Sequence, residues 1–177
     1  MDLRAPFTGT LYLPDKEFLA SGSPILLADG RPVAAIRWHT WSQKFEVLDA
    51  SGALVAACEV QGFLRHRYTV RAVDGRVLVD LRPGAWRPYK GAELTVGGRR
   101  LAIHQVSMWS DRRFEFVAPD GVVGRISPTT GVFTFRPDSY AFELLRPALS
   151  ALEAISLAQA LRLVARGQRQ QAAAAST

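Results

Sequence analysis

A chain of 177 residues, 48% hydrophobic and 21% charged, is of ordinary composition for one soluble globular domain, and it is long enough to bury a substantial core. Its single cysteine, Cys58, excludes an intramolecular disulfide and any cysteine-based metal cluster, and it fits a reducing compartment. The net charge of +6, carried mostly by arginine, would attract nucleic acid, anionic lipid or an acidic partner without choosing among them.

The opening MDLRAPFTGT has no charged segment followed by an apolar one, so no signal peptide is expected and the cytoplasm is the expected location. Residues 1–23 read as an irregular arm with one short strand at Thr10–Leu13. A regular pattern follows. Asp29-Gly30, Ser51-Gly52, Asp74-Gly75, Gly97-Gly98 and Asp120-Gly121 are pairs that accept positive φ in two-residue hairpin turns, and each is flanked by strand-like runs. Their near-constant spacing predicts five similar hairpins side by side.

The predicted strands are Pro24–Ala28, Pro32–Trp38, Lys44–Ala50, Ala53–Val60, Arg67–Val73, Arg76–Arg82, Glu93–Val96, Arg100–Val106, Arg113–Ala118, Val122–Ser127 and Val132–Arg136; the N-terminal strand makes about twelve. Phe45 and Val47 oppose Lys44 and Glu46, Tyr68 and Val70 oppose Arg67 and Thr69, and Phe114 and Phe116 oppose Arg113 and Glu115. That alternation gives each strand one dry and one wet face, as in a barrel wall or a sandwich.

Pro147–Arg166 predicts a helix, with Pro147 in its first turn and Gly167 as its stop. Its polar residues Ser150, Glu153, Ser156, Gln159 and Arg162 recur every third position and sweep around the cylinder, and the leucines cover the rest. A helix apolar on every side belongs in a core or a membrane. Glu153, Gln159 and Arg162 interrupt the run, so no transmembrane span is expected and a buried central helix is preferred over an external one. Twelve strands enclose a space that side chains alone do not fill and that a helix about 10 Å across does. Ala34, Ala56, Ala72 and Gly124 on the dry faces allow close approach. The predicted fold is therefore mainly β: a closed antiparallel barrel of about twelve strands around a hydrophobic C-terminal helix, with no internal pocket and recognition on the outside. Residues 167–177 read as a disordered tail.

The order of strands and helix resembles the tubby C-terminal-like superfamily, which holds tubby domains, phospholipid scramblases and LURP-one-related proteins. The likeness to LURP-one-related proteins is carried by VDLRPGAW (Val79–Trp86), by Ala92–Gln105 and by PDSYAFELLRPALSALEAI (Pro137–Ile155). Tubby domains bind phosphoinositides through basic residues on the outer wall, so the resemblance implies lipid recognition. The chain lacks the proline-rich region, cysteine cluster and acidic loop of the scramblase pattern, which argues against scramblase activity and calcium binding.

The connections at the barrel end opposite the glycine turns gather all four tryptophans and many cations. Trp41, Lys44, Arg65, Arg67, Trp86, Arg87, Lys90, Trp109, Arg112 and Arg113 form the candidate surface for anionic lipid, since tryptophan favours the water–headgroup boundary and cations meet headgroups. The plainer reading is that the tryptophans plug the barrel end and the cations are a solvated edge. Nucleic acid could use the same groups, but no helix-turn-helix, zinc finger or RNA-binding signature accompanies them.

No catalytic set emerges. Cys58 shares the dry face of its strand with Leu54, Ala56 and Val60 and reads as a buried inert thiol. His39, His66 and His104 lie on separate hairpins without metal-binding spacing, and no cofactor motif is present. Glu153 is expected to be buried and hydrogen-bonded to a strand residue. The expected function is a non-enzymatic module binding anionic lipid or a membrane surface. A protein-interaction scaffold is the alternative, and a small-ligand carrier or enzyme is the third.

Overall fold

A computed structural model describes residues 1–14, 23–39, 44–62, 67–84, 89–106, 113–129 and 139–174. They form strands β1 (Gly9–Pro14), β2 (Ser23–Leu27), β3 (Pro32–His39), β4 (Lys44–Asp49), β5 (Leu54–Gln61) and β6 (Arg67–Ala72). Strands β7 (Val77–Arg82), β8 (Glu93–Val96), β9 (Arg99–Gln105), β10 (Phe114–Ala118), β11 (Gly121–Pro128) and β12 (Ser139–Leu144) follow, then helix α1 (Ala151–Ala174). Each strand pairs antiparallel with its sequence neighbours, and β1 pairs with β12 to close a twelve-stranded barrel.

The hairpin turns follow from glycine. Gly30, Gly52 and Gly75 have φ of 82°, 85° and 85°, which only glycine adopts without strain. These three turns hold three residues rather than the two expected. Leu27, Asp49 and Ala72 donate their N–H groups to the carbonyls of Arg31, Ala53 and Arg76, and the N–H of the turn glycine returns to Leu27, Asp49 or Ala72. The extra residue shifts the register beside each turn, at Ile25/Leu26, Val47/Leu48 and Val70/Arg71. Gly97-Gly98, with φ of 55° and 79°, does form the two-residue turn.

The twelfth strand lies elsewhere than the sequence predicts. Val132–Arg136 is outside the described residues; β12 is Ser139–Leu144, part of the stretch expected to lead into the helix. Phe142 and Leu144 face the lumen and are buried, while Glu143 between them is exposed. Phe142 packs on Phe116 with ring centroids 5.3 Å apart. The N-terminal arm belongs to the fold rather than hanging from it: Leu3 is buried, and β1 has partners along both edges.

Helix α1 fills the barrel. Every residue from Ala151 to Leu157 is buried, and burial persists on most positions through Val164. Pro147 lies before the helix and not in its first turn, where the sequence places it, because Ser150 caps the helix instead. The Ser150 Oγ accepts the Glu153 N–H at 3.2 Å, and Glu153 Oε2 accepts the Ser150 N–H at 2.8 Å, a reciprocal capping box. Glu153 is thus buried as expected, but it bonds the helix's own cap, not a strand residue. The Leu152 N–H donates to the carbonyl of Leu3 at 2.8 Å, so the N-terminal arm satisfies a further helix-end donor. At the other end the helix passes through Gly167 and continues to Ala174, into what the sequence presents as tail.

Candidate functional site

Alternation sends the two ends of the barrel different side chains. The glycine turns and the start of α1 stand at one end. At the other, α1 emerges among the remaining connections, where the sequence places the lipid-binding candidates.

Of those candidates, Trp41, Arg65, Trp86, Arg87, Trp109 and Arg112 lie outside the described residues. Lys44 opens β4, Lys90 stands between β7 and β8, and Arg113 precedes β10; all three are exposed. None of the three makes an ion pair with a described residue. Arg67 differs. It clamps Asp80 across the β6–β7 pair through two nitrogens, with Nε at 2.7 Å from Oδ1. That bond holds the Asp80 carboxyl below its usual range and raises the guanidinium, so Arg67 is neutralised on the wall.

The same holds for the wall generally. Arg37 meets Glu46 at 3.2 Å, Arg71 meets Glu59 at 3.8 Å, Arg82 meets Glu93 at 3.4 Å and Arg125 meets Glu115 at 2.9 Å. Arg37, Arg82 and Arg125 lie directly opposite their partners in the register, so strand pairing brings the charges together. Among the described residues, these pairs set opposite charges side by side along the outer wall.

Inside the emergent rim, aromatics plug the lumen. Trp38 shares the inward parity of Ala34 and Ile36, and its ring lies 5.5 Å from that of Phe45. The Arg162 guanidinium of α1 stacks 4.7 Å over the Trp38 ring. Tyr89 is buried with its ring 4.6 Å from that of Phe114. For Trp38, then, the plug reading holds. The lumen is not completely filled, however. A pocket of about 40 Å³ remains beside α1, lined among others by Leu13, Tyr89, Ile126, Gln159 and Arg162. Such a volume holds about three waters. Gln159 is 2% exposed and its Oε1 has no hydrogen-bond partner among the described residues.

The opposite end holds a group that sequence reasoning missed. Arg4, Arg76 and Arg99 line an open pocket of about 220 Å³, with Gly97, Ala148, Ser150 and Glu153 forming its floor. Arg99 Nη1 donates to the carbonyl of Ala148 at 2.6 Å and fixes the link between β12 and α1 to the β8–β9 turn. Arg146 fixes the same link to the β10–β11 turn, gripping Asp120 at 2.6 and 2.7 Å; that hydrogen bonding holds the Asp120 carboxyl below its usual range. One signal was visible: arginine follows the turn glycine at Arg31, Arg76 and Arg99.

Cys58 is 2% exposed, and burial pushes its thiol up to about 12, the charge of Glu59 adding to the effect. No described helix is long and apolar enough to cross a membrane. No family model matches the chain, and no curated protein matches it. A solved X-ray structure of a protein from Arabidopsis thaliana is similar, with a TM-score of 0.60 at 14% identity, covering 92% of this chain and 94% of that one. At that identity the likeness bears on the fold alone: a mainly β closed barrel with a C-terminal helix.

Proposed function

We propose that the chain is a non-enzymatic binding module that recognises anionic phospholipid at a membrane surface through the rim where α1 emerges. The observation that carries this reading is the contrast in charge pairing. Lys44, Lys90 and Arg113 are exposed on that rim without ion-pair partners among the described residues, while cations such as Arg37, Arg67, Arg82 and Arg125 on the wall are neutralised. An unpaired cation near an anionic surface contributes about 1 kcal/mol, and a paired one much less. Because the three stand on separate connections around the barrel, they suit a flat surface better than a single small ligand. The resemblance to tubby-like proteins supports lipid recognition but would place it on the wall, where Arg37, Arg67, Arg71, Arg82 and Arg125 are already paired with carboxylates.

The test is co-sedimentation with phosphatidylserine vesicles and with neutral vesicles across a salt series. Retention on the anionic vesicles at low salt is expected, falling with salt and lost in the Lys44→Glu/Lys90→Glu/Arg113→Glu variant. No retention at low salt, or the same retention in that variant, would leave the protein-interaction reading in its place.

A further inference from the structure

We propose that the Arg4–Arg76–Arg99 pocket at the opposite end of the barrel is a binding site for a phosphate monoester group. Three arginines on three separate elements line it: Arg4 of the N-terminal arm, Arg76 of the β6–β7 turn and Arg99 at the start of β9. Its volume of about 220 Å³ accommodates a phosphate with part of the group it esterifies. Glu153 is the one carboxylate in the lining, and one of its oxygens already accepts the Ser150 N–H.

The helix end itself does not make the site. Its donors at Leu152 and Glu153 are occupied by the Leu3 carbonyl and the Ser150 hydroxyl, so an incoming anion meets arginine side chains. Those side chains are held with capacity to spare. Arg99 commits one nitrogen to the Ala148 carbonyl. Arg4 rests 3.4 Å from the exposed Asp74 carboxylate, a partner that an anion in the pocket can displace. Arg76 makes no ion pair among the described residues. Guanidinium forks match the several oxygens of a phosphate in two-point contacts, and three forks exceed what the two oxygens of a carboxylate can accept. Arg76 and Arg99 each directly follow a turn glycine of positive φ, and Arg99 is tied to the helix link, so the backbone that carries these two is set before a ligand arrives.

Calorimetric titration of the full chain with inorganic phosphate, at constant ionic strength held by chloride, tests the site. Saturable binding is expected, weakened at least about tenfold by Arg76→Glu, an exposed position away from the core. Arg4→Glu serves as the second variant, and unchanged thermal melting shows that each remains folded. A titration with phosphatidic acid vesicles beside the one with dissolved phosphate separates the two sources of the group. Heat on vesicles alone assigns a lipid headgroup, and heat with dissolved phosphate assigns a soluble ester. In both cases the Lys44→Glu/Lys90→Glu/Arg113→Glu background keeps the Arg76-dependent binding, which separates this site from the other rim. No saturable heat from either ligand, or equal affinity in wild type and both arginine variants, overturns the proposal.

Discussion

The carboxylate of Glu153 occupies the space that a side chain at Gly97 would need: a Cβ there would stand 2.3 Å from Oε1 and 2.9 Å from the carboxyl carbon. The turn glycine and the buried helix cap therefore interlock. Gly97 also has φ of 55°, and an alanine in that region costs about 1–2 kcal/mol for backbone reasons alone. In Gly97→Ala the carboxylate must also leave the Ser150 N–H, which adds about 1 kcal/mol for the lost cap. Gly98→Ala is the control, because φ is again positive but nothing lies within 4 Å of its Cβ. Urea denaturation should show the larger loss at Gly97, and the difference should vanish when Glu153→Ala is added to both. Equal losses at the two glycines would dissolve the interlock.

Gly124 makes a different kind of close approach. Its φ is unremarkable, but a Cβ would lie 2.7 Å from the backbone carbonyl of Glu143 and 3.0 Å from the Phe142 ring. A flexible side chain could swing away, whereas a carbonyl in the β11–β12 ladder cannot move without parting the strands. Gly124→Ala is expected to lower stability by about 1–3 kcal/mol, as overpacking in a core does. Equilibrium unfolding checks it, and a neutral result would mean that the two strands have slack at this point.

How much of this was legible beforehand depended on how local each cause is. The turns could be read because positive φ is a property of one glycine, and the dry faces because Phe45, Val47, Phe114 and Phe116 alternate within single strands. The burial of α1 was legible in leucines that cover its whole circumference. Its ends were misplaced. Pro147 suits a first turn, but the Ser150-x-x-Glu153 box three residues on is the stronger local start signal and sets that end of the helix. Gly167 lacked the effect it has on an exposed helix: it is part-buried, and a Cβ there would lie 3.7 Å from the Tyr68 hydroxyl, so the wall supports the helix past it. Strand β12 was hidden because SYAFELL carries apolar groups that suit a helix entry as well as a strand, and only pairing with β1 decides between them. Of the arginine pocket only the Gly-Arg steps at Arg76 and Arg99 were legible, since closure of the barrel is what brings Arg4 together with them. The partner of Arg67 was out of reach for the same reason, Asp80 standing across a strand pair.

Acid should loosen the barrel through two arginine clamps. Arg67 holds the Asp80 carboxyl, and Arg146 the Asp120 carboxyl, below the 3.8 of an unperturbed aspartate, in both cases chiefly through the side-chain hydrogen bond. The unfolded chain therefore takes up these protons first, and acidification favours unfolding. The contribution of each clamp is whole above about pH 5 and disappears as pH falls through the lowered folded values. Both clamps are partly exposed, so the effect is modest and weakens with salt. Urea midpoints between neutral pH and pH 2 should fall less steeply in Asp80→Asn and Asp120→Asn than in wild type. Identical slopes in all three proteins would assign the acid response to other carboxylates.

Cys58 offers a direct reading of how the wall opens. Its side chain points into the lumen from β5, opposite Val70 of β6, and its thiol is pushed up to about 12 by burial. At pH 8 almost none of it is thiolate, and no reagent reaches it while the barrel is closed. Labelling with a disulfide reagent should be negligible in the native protein and should accelerate with urea in step with global unfolding. Fast labelling without denaturant would show that β5 and β6 separate locally. Substitution sharpens the point: Cys58→Ser places a hydroxyl in the same dry site and should cost about 1–3 kcal/mol. Cys58→Ala removes the sulfur without adding a polar group and should cost less. If serine were tolerated as well as alanine, the lumen at this level would have to hold water.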